Sequence, residues 1–155
     1  MEFRRTARLS APLEQVWALV DDIPTVAGCI PGVHDLEMRG EREFDCVVSQ
    51  RVGSVKSNFT LHTVVGDVEP RKRLALESQG QDRALGSNVK ANLQFGLDDK
   101  GEETEVDIVA DFQVTGRIAT FGHRIISAKA EQVVMEALRN VDKLLSERRS
   151  APSEG

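Results

Sequence analysis

The stretch from Arg117 to Arg149 constrains this chain most, because its apolar residues recur at three- and four-residue steps without interruption by proline. Ile118, Phe121, Ile125, Ile126, Ala130, Val133, Val134, Ala137, Leu138, Val141, Leu144 and Leu145 make the one-sided stripe of a 3.6-period helix. Lys129, Glu131, Glu136, Arg139, Lys143 and Glu147 take the wetter faces. At ~1.5 Å rise per residue, a single helix of this length is a rod of roughly 40 Å. A rod with one apolar side must lie on an apolar surface, and the expected surface is a sheet upstream.

The chain before it supplies that sheet. Glu2 to Leu9 alternates, with Phe3, Ala7 and Leu9 on one side and Glu2, Arg4, Thr6 and Arg8 on the other. Arg5 is the charged exception on the apolar side, and is expected to snorkel to the sheet edge or pair with an acid. Ser10 is expected to cap a helix with Pro12 in its first turn, burying Val16, Trp17, Leu19, Val20 and Ile23. Pro24 interrupts it, and a second short helical turn through Val26 and Ala27 ends near Gly28, because Pro31 disfavours helix at Ile30.

From Val33 to Gly116 the period changes from 3.6 to 2, which predicts six strands. Their inward residues are Leu36 and Met38; Phe44, Cys46 and Val48; Val55, Ser57, Phe59, Leu61 and Thr63; Leu74 and Leu76; Val89, Ala91, Leu93, Phe95 and Leu97; and Val106, Ile108, Ala110, Phe112 and Val114. Turns fall at Arg39–Glu41, Gly53, Glu69–Arg71, a loop from Gly80 to Gly86, and Asp98–Gly101. Short connections between strands with one wet face imply an antiparallel meander. The predicted architecture is an α+β, helix-grip fold: a curved seven-stranded antiparallel sheet wrapped around a long C-terminal helix, with two short helices after the first strand. One domain covers 1–149, and 150–155 is expected to be a disordered tail.

Composition narrows the function classes. Twenty basic residues are scattered among twenty-five acidic ones for a net charge of -5, with no sustained Lys/Arg stripe of the kind nucleic-acid binding needs. No run of apolar residues approaches the ~18 of a membrane span or has the flanks of a signal peptide, so the expected location is the cytoplasm. The two cysteines, Cys29 and Cys46, read as buried inert thiols in a reducing compartment. His34, His62 and His123 lack metal-ligand spacing, and neither a glycine-rich phosphate loop nor a Ser/His/Asp arrangement is present, so no cofactor is expected.

Four short motifs point further. The run Ala11-Pro12-Leu13-Glu14-Gln15-Val16-Trp17-Ala18-Leu19-Val20-Asp21-Asp22, then Cys29-Ile30-Pro31-Gly32-Val33, then Val52-Gly53-Ser54-Val55 with Phe59, and finally Val114 to Ile126 through Gly116, Gly122 and Arg124, stand in this order. Together they resemble the carbon monoxide dehydrogenase G-subunit (CoxG) family, of the START-like, polyketide cyclase-like (SRPBCC) superfamily, from Phe3 to about Leu145. The resemblance implies a non-enzymatic accessory protein that binds a hydrophobic small molecule, quinone- or lipid-like, beside a carbon monoxide dehydrogenase-type molybdenum hydroxylase. Longer members carry a hydrophobic C-terminal anchor, whereas this chain stops at Gly155, so the expected membrane contact is transient and peripheral, at the inner face.

A strongly curved sheet and a straight helix leave space between them, and that space is the expected ligand site. The candidate binding residues are Cys29, Ile30, Met38, Cys46, Val48, Phe59, Leu61, Leu93, Phe95, Phe112, Phe121, Ile126, Ala130 and Val134, with the entrance near Cys29 to Gly32 and Phe121. Two other classes remain open: a cyclase or dehydratase of the same superfamily, for which Gln50, Ser57, Thr63 and Ser78 are the inward polar candidates, and a protein-docking adaptor without a ligand.

Overall fold

A computed structural model describes residues 1–150, apart from the side chains of residues 67, 68 and 150; the expected tail from 151 to 155 lies outside the described residues. Strand β1 (Glu2–Leu9) leads into two short helices, α1 (Leu13–Val20) and α2 (Ile23–Ala27). Six strands follow: β2 (Val33–Gly40), β3 (Glu43–Val52), β4 (Val55–Glu69), β5 (Arg73–Asp82), β6 (Ser87–Asp99) and β7 (Thr104–Thr115). A 3-10 turn (Arg117–Phe121) then precedes the long helix α3 (His123–Ser150).

All seven strands form one antiparallel sheet in the order β1-β7-β6-β5-β4-β3-β2. The sequential strands β2 to β7 are neighbours as the short connections predict, and β1 returns to pair with β7, Phe3 opposite Ala110 and Leu9 opposite Thr104. The period-2 pattern sets the register, so the apolar residues of β3 to β7 share the concave face. At Asp35, in the left-handed region (φ 53), a shift in the β2–β3 pairing resets the alternation, so that Val33, Leu36 and Met38 all pack towards Phe44 and Cys46.

Three local expectations change. The last helix is not continuous from Arg117: Gly122 (φ 92, ψ 160) adopts a conformation that a side chain would resist, and it separates the 3-10 turn from α3. The repeating stripe runs through this break because Ile118 and Ile126 are both buried, so periodicity alone does not reveal it. Gly80 lies within β5 rather than at a loop, and the turn is confined to 83–86; a Cβ at Gly80 would stand 1.8 Å from the Thr60 carbonyl oxygen, so the close approach of β4 and β5 demands glycine. Finally, Ser10 does not cap α1, whose N-cap is Pro12. Its backbone N–H instead donates to Asp142 Oδ1 (2.7 Å), and its carbonyl accepts from Arg149 Nη1 (2.8 Å), which ties the β1–α1 link to the far end of α3.

The helix crosses the concave face like a bar resting on its two sides. Its main close approaches to the sheet are at β1 and β3 rather than at the central strands. One buried cluster, including Leu9, Val16, Leu19, Val106, Ile108 and Leu145, sits under α1 and the end of α3. A second joins Val52, Phe112, Ile118 and Ile126 under the start of α3, and a third joins Ala27, Phe44, Cys46 and Val48 along β3. Arg5, on the inner side of the edge strand, pairs with Glu131 of α3, one of the two fates expected for it.

Candidate functional site: an apolar cavity between sheet and helix

Four of the inward side chains of β7, Val106, Ile108, Ala110 and Phe112, are buried, and only Val114 near the strand's end is half-buried. Those of the central strands are not buried. Phe59, Leu61, Leu74, Leu76, Ala91, Leu93 and Phe95 face the same interior yet stay half-buried, as do Val133, Val134, Ala137 and Leu138 on the opposing side of α3. Between them lies a cavity of about 400 Å³. The cause is geometric: a bar held up by the flanks cannot also touch the middle of a curved sheet, and the small residues Ser57, Ser78, Ala91 and Ala130 do not fill the gap.

Eleven of the fourteen predicted residues border this cavity: Ile30, Cys46, Val48, Phe59, Leu61, Leu93, Phe95, Phe112, Ile126, Ala130 and Val134. Cys29, Met38 and Phe121 do not. Cys29 follows α2 and turns back, its thiol donating to the Thr25 carbonyl (3.6 Å) within the cluster under α1. Met38 stands on the edge strand β2 opposite Phe44 and packs against the Phe44 cluster. Phe121 folds over the β3–β4 turn, where a Cβ on Gly53 would lie 2.9 Å from its ring. What the sequence reading missed is the end wall: Val16, Leu19, Val20 and Ile23 of α1 and α2 also line the cavity, which extends along α3 to Val141. The apolar stripe of α1 carries the signal, but in sequence such a stripe has the same form whether it meets core or cavity. Trp17, expected on that buried side, is half-buried and lies outside the lining.

Polar groups in the wall are few and occupied. Ser57 donates to the Gln50 carbonyl (2.9 Å), and the hydroxyls of Thr63 and Ser78 bond each other (2.9 Å). Gln50 Nε2 donates to the Pro31 carbonyl (2.7 Å), and Lys129 Nζ donates weakly to Gln50 Oε1 (3.5 Å). Among the described residues, the ionisable side chains on the lining are Cys46, Asp111 and Lys129. Burial pushes the Cys46 thiol up, and the nearby Asp45 charge adds to this, so the thiol stays protonated. Such a wall can hold an apolar molecule by burial; it presents no pair of acid and base converging on one point. A larger concavity, about 890 Å³, occupies the outer face between His62, Gln79, Lys90 and Gln113, but it is a polar trough open to solvent. There His62 Nδ1 meets Asp45 Oδ1 (2.6 Å) and Arg39 meets the other carboxylate oxygen (2.7 Å), which together hold the Asp45 carboxyl below its usual range. No three His, Cys, Asp or Glu side chains among the described residues are grouped to hold a metal ion, and no helix there is long and apolar enough to cross a membrane.

The sequence profile of the CoxG family, described as the G component of carbon monoxide dehydrogenase, matches residues 6–146. The chain belongs to the CoxG family. The match takes in the second half of β1, the short helices, the whole meander and nearly all of α3, so every lining residue of the cavity except Phe3 lies within the family's region. No curated protein sequence matches significantly. Among solved structures, a conserved protein from Geobacillus kaustophilus superposes with a TM-score of 0.87 at 21% identity, over 95% of this chain and 96% of that one. The Zhui aromatase/cyclase from Streptomyces sp. R1128 gives 0.70 at 16% identity, over 97% and 96%. A START superfamily protein from Mycobacterium smegmatis gives 0.69 at 12% identity, over 94% and 97%. These likenesses establish the START-like, polyketide cyclase-like fold that the sequence predicts.

Proposed function

We propose that this CoxG-family protein is a non-enzymatic accessory carrier that holds one hydrophobic small molecule, of quinone or lipid type, between the sheet and α3. Its client in this reading is a carbon monoxide dehydrogenase-type molybdenum hydroxylase, and it works in the cytoplasm with transient contact at the membrane. The observation that carries the proposal is the uncovered apolar stripe of β4 to β6. Apolar side chains left half-buried around about 400 Å³ of space give up burial worth ~25 cal/mol per Å², which an apolar guest restores. The cyclase or dehydratase alternative draws less support, since the inward hydroxyls of Ser57, Thr63 and Ser78 are committed to partners within the protein.

The chain carries its own reporter. Trp17 is the single tryptophan, and it lies on α1 between Val16 and Leu19, which line the cavity. Titration with a prenylated quinone is expected to quench Trp17 emission saturably at one equivalent, and mass spectrometry of organic extracts from mildly purified protein is expected to show a bound quinone or lipid. Absence of both a co-purifying apolar molecule and saturable quenching would overturn the carrier reading and favour an adaptor that docks the oxidoreductase without cargo.

A further inference from the structure

The cavity is apolar almost throughout, and its polar groups gather at one place. Gln50 on β3, Ser57 on β4 and Lys129 on α3 all border it. Gln50 and Ser57 are direct partners across the strand pair, and the Ser57 hydroxyl is spent on the Gln50 carbonyl (2.9 Å). Lys129 follows Ile126 by three residues and precedes Val133 by four, so it shares their face of α3, and both border the cavity. Its charge predicts a wetter face, yet the structure has it half-buried on the lining.

The Gln50 amide is fixed in direction. Its Nε2 donates to the Pro31 carbonyl (2.7 Å), and the next residue of that loop lies so close to β3 that a Cβ on Gly32 would stand 2.0 Å from the Ser49 carbonyl oxygen. The Ser49 N–H donates to the Gly32 carbonyl (3.0 Å), which holds the loop there. With its nitrogen committed to Pro31, the amide turns its oxygen to Lys129, since the flipped amide would set two acceptors against each other. Lys129 Nζ donates to this oxygen at 3.5 Å, long for a hydrogen bond. An ammonium carries three donors, and the other two have no acceptor among the described residues. The carboxylate on the lining does not serve them: Asp111 alternates to the outer side of β7, its side chain is 62% exposed, and it lies 4.0 Å from the N-terminal ammonium. A lysine beside apolar surface ordinarily snorkels, with its stem on that surface and its head in water. Here the head instead meets Gln50, itself a lining residue, and has donors to spare.

We infer that Lys129 and Gln50 form a head-group subsite in the cavity, and that its occupant is an amphiphile presenting an acceptor oxygen, a quinone carbonyl or a carboxylate, to the Lys129 ammonium. The inference rests on the carrier reading and adds orientation and selectivity to it. The head lies between β3 and the first turns of α3, and the apolar body runs along α3 towards Val141, about 18 Å away at ~1.5 Å per residue. Lys129 is the specificity-determining residue: a wholly apolar guest fills the space but leaves the ammonium unmet, whereas an oxygen-headed guest of the same shape satisfies both. Gln50 is a positioning residue, which aims the lysine through Oε1 while Nε2 anchors the loop.

The test is calorimetric titration of the ligand-stripped full chain with a geranyl naphthoquinone, the geranyl naphthalene that lacks both carbonyls, and laurate. Each probe is compared between parent and variant, so its own preference for leaving water cancels. Lys129→Met keeps the length and helix propensity of the side chain and removes its donors. It is expected to weaken at least one oxygen-headed probe by about tenfold or more, the usual worth of a hydrogen bond to a charged group, and to leave the naphthalene within about threefold. Loss for the quinone assigns a carbonyl head, and loss for laurate alone a carboxylate. Gln50→Leu is expected to weaken the same probe in the parent and to change nothing further in the Lys129→Met background, because it acts through the lysine. Should Lys129→Met lower the melting temperature, Lys129→Leu carries the same test. Equal effects of Lys129→Met on oxygen-headed and oxygen-free probes, or none on either, overturn the subsite while the carrier reading stands. If the parent binds none of the three probes, the carrier reading itself fails and the subsite with it.

Discussion

Replacing Ala130 with tryptophan asks whether the space between sheet and helix is real. Ala130 is on α3, half-buried, and faces the cavity across from Phe112 and Ala91. An indole buries about 150–250 Å² of surface, worth about 4–6 kcal/mol at ~25 cal/mol per Å² as an upper bound. Against this stand about 1 kcal/mol of side-chain entropy, a few tenths for helix propensity, and about 1–3 kcal/mol of strain if the fit is imperfect. The balance is about 0–4 kcal/mol in favour of the variant. For a domain of this size that is a rise in Tm of about 0–15 °C. Thermal denaturation of the ligand-stripped protein measures it, and the same variant should lose quinone-dependent Trp quenching, read from difference titrations against the parent. If the interior is in fact packed solid, the added ring has nowhere to go. Tm then falls by about 5 °C or more, and the argument from the half-buried stripe is refuted.

Two further outcomes follow from single sites. Gly116→Ala puts a Cβ 2.0 Å from the Gly86 carbonyl oxygen at a φ of 84, where neither the turn nor a left-handed alanine yields cheaply, so urea denaturation should show a loss of about 3 kcal/mol or more. Burial raises both thiols above their ordinary value, at Cys29 against a smaller opposing effect of Arg148. The native state therefore holds its thiol protons more tightly than the unfolded one, so this contribution is intact below the ordinary thiol range and stability falls as pH rises through it. Ellman's reagent at mildly alkaline pH should accordingly react slowly with native protein and fast in denaturant; rapid native reaction would contradict the buried placement.

The sheet was readable because each strand's face is fixed by a period of two, which turns do not disturb: Val106 to Val114 needed only alternation to place every side chain. The helix was readable as amphipathic but not as broken, since Gly122 interrupts the backbone without interrupting the stripe. The cavity followed the same division. Residues on β3, β4, β6 and β7 and on α3 were assigned from periodicity. Those of α1 and α2 were missed because an apolar helix face looks the same whether it meets a neighbour or a void. Cys29, Met38 and Phe121 do not border the cavity because they lie at irregular places, where direction is set by a register shift, as beside Met38, or by turns such as the one Gly53 makes under Phe121, and no repeat encodes it.

The pairing of β1 with β7 has a consequence for assembly in time. Glu2 to Leu9 is made before the rest of the sheet, yet its partner strand Thr104–Thr115 comes about a hundred residues later, and the helix that spans both flanks comes later still. Contacts of such long sequence separation slow folding, because chain entropy is lost before they repay it. The nascent chain can build its meander hairpin by hairpin, with the first strand waiting unpaired and the concave face bare. Only when α3 is complete do the walls close around an interior, so an incomplete product of synthesis has an exposed greasy sheet and no pocket. The interval between β7 and the end of α3 is where a chaperone would find its substrate.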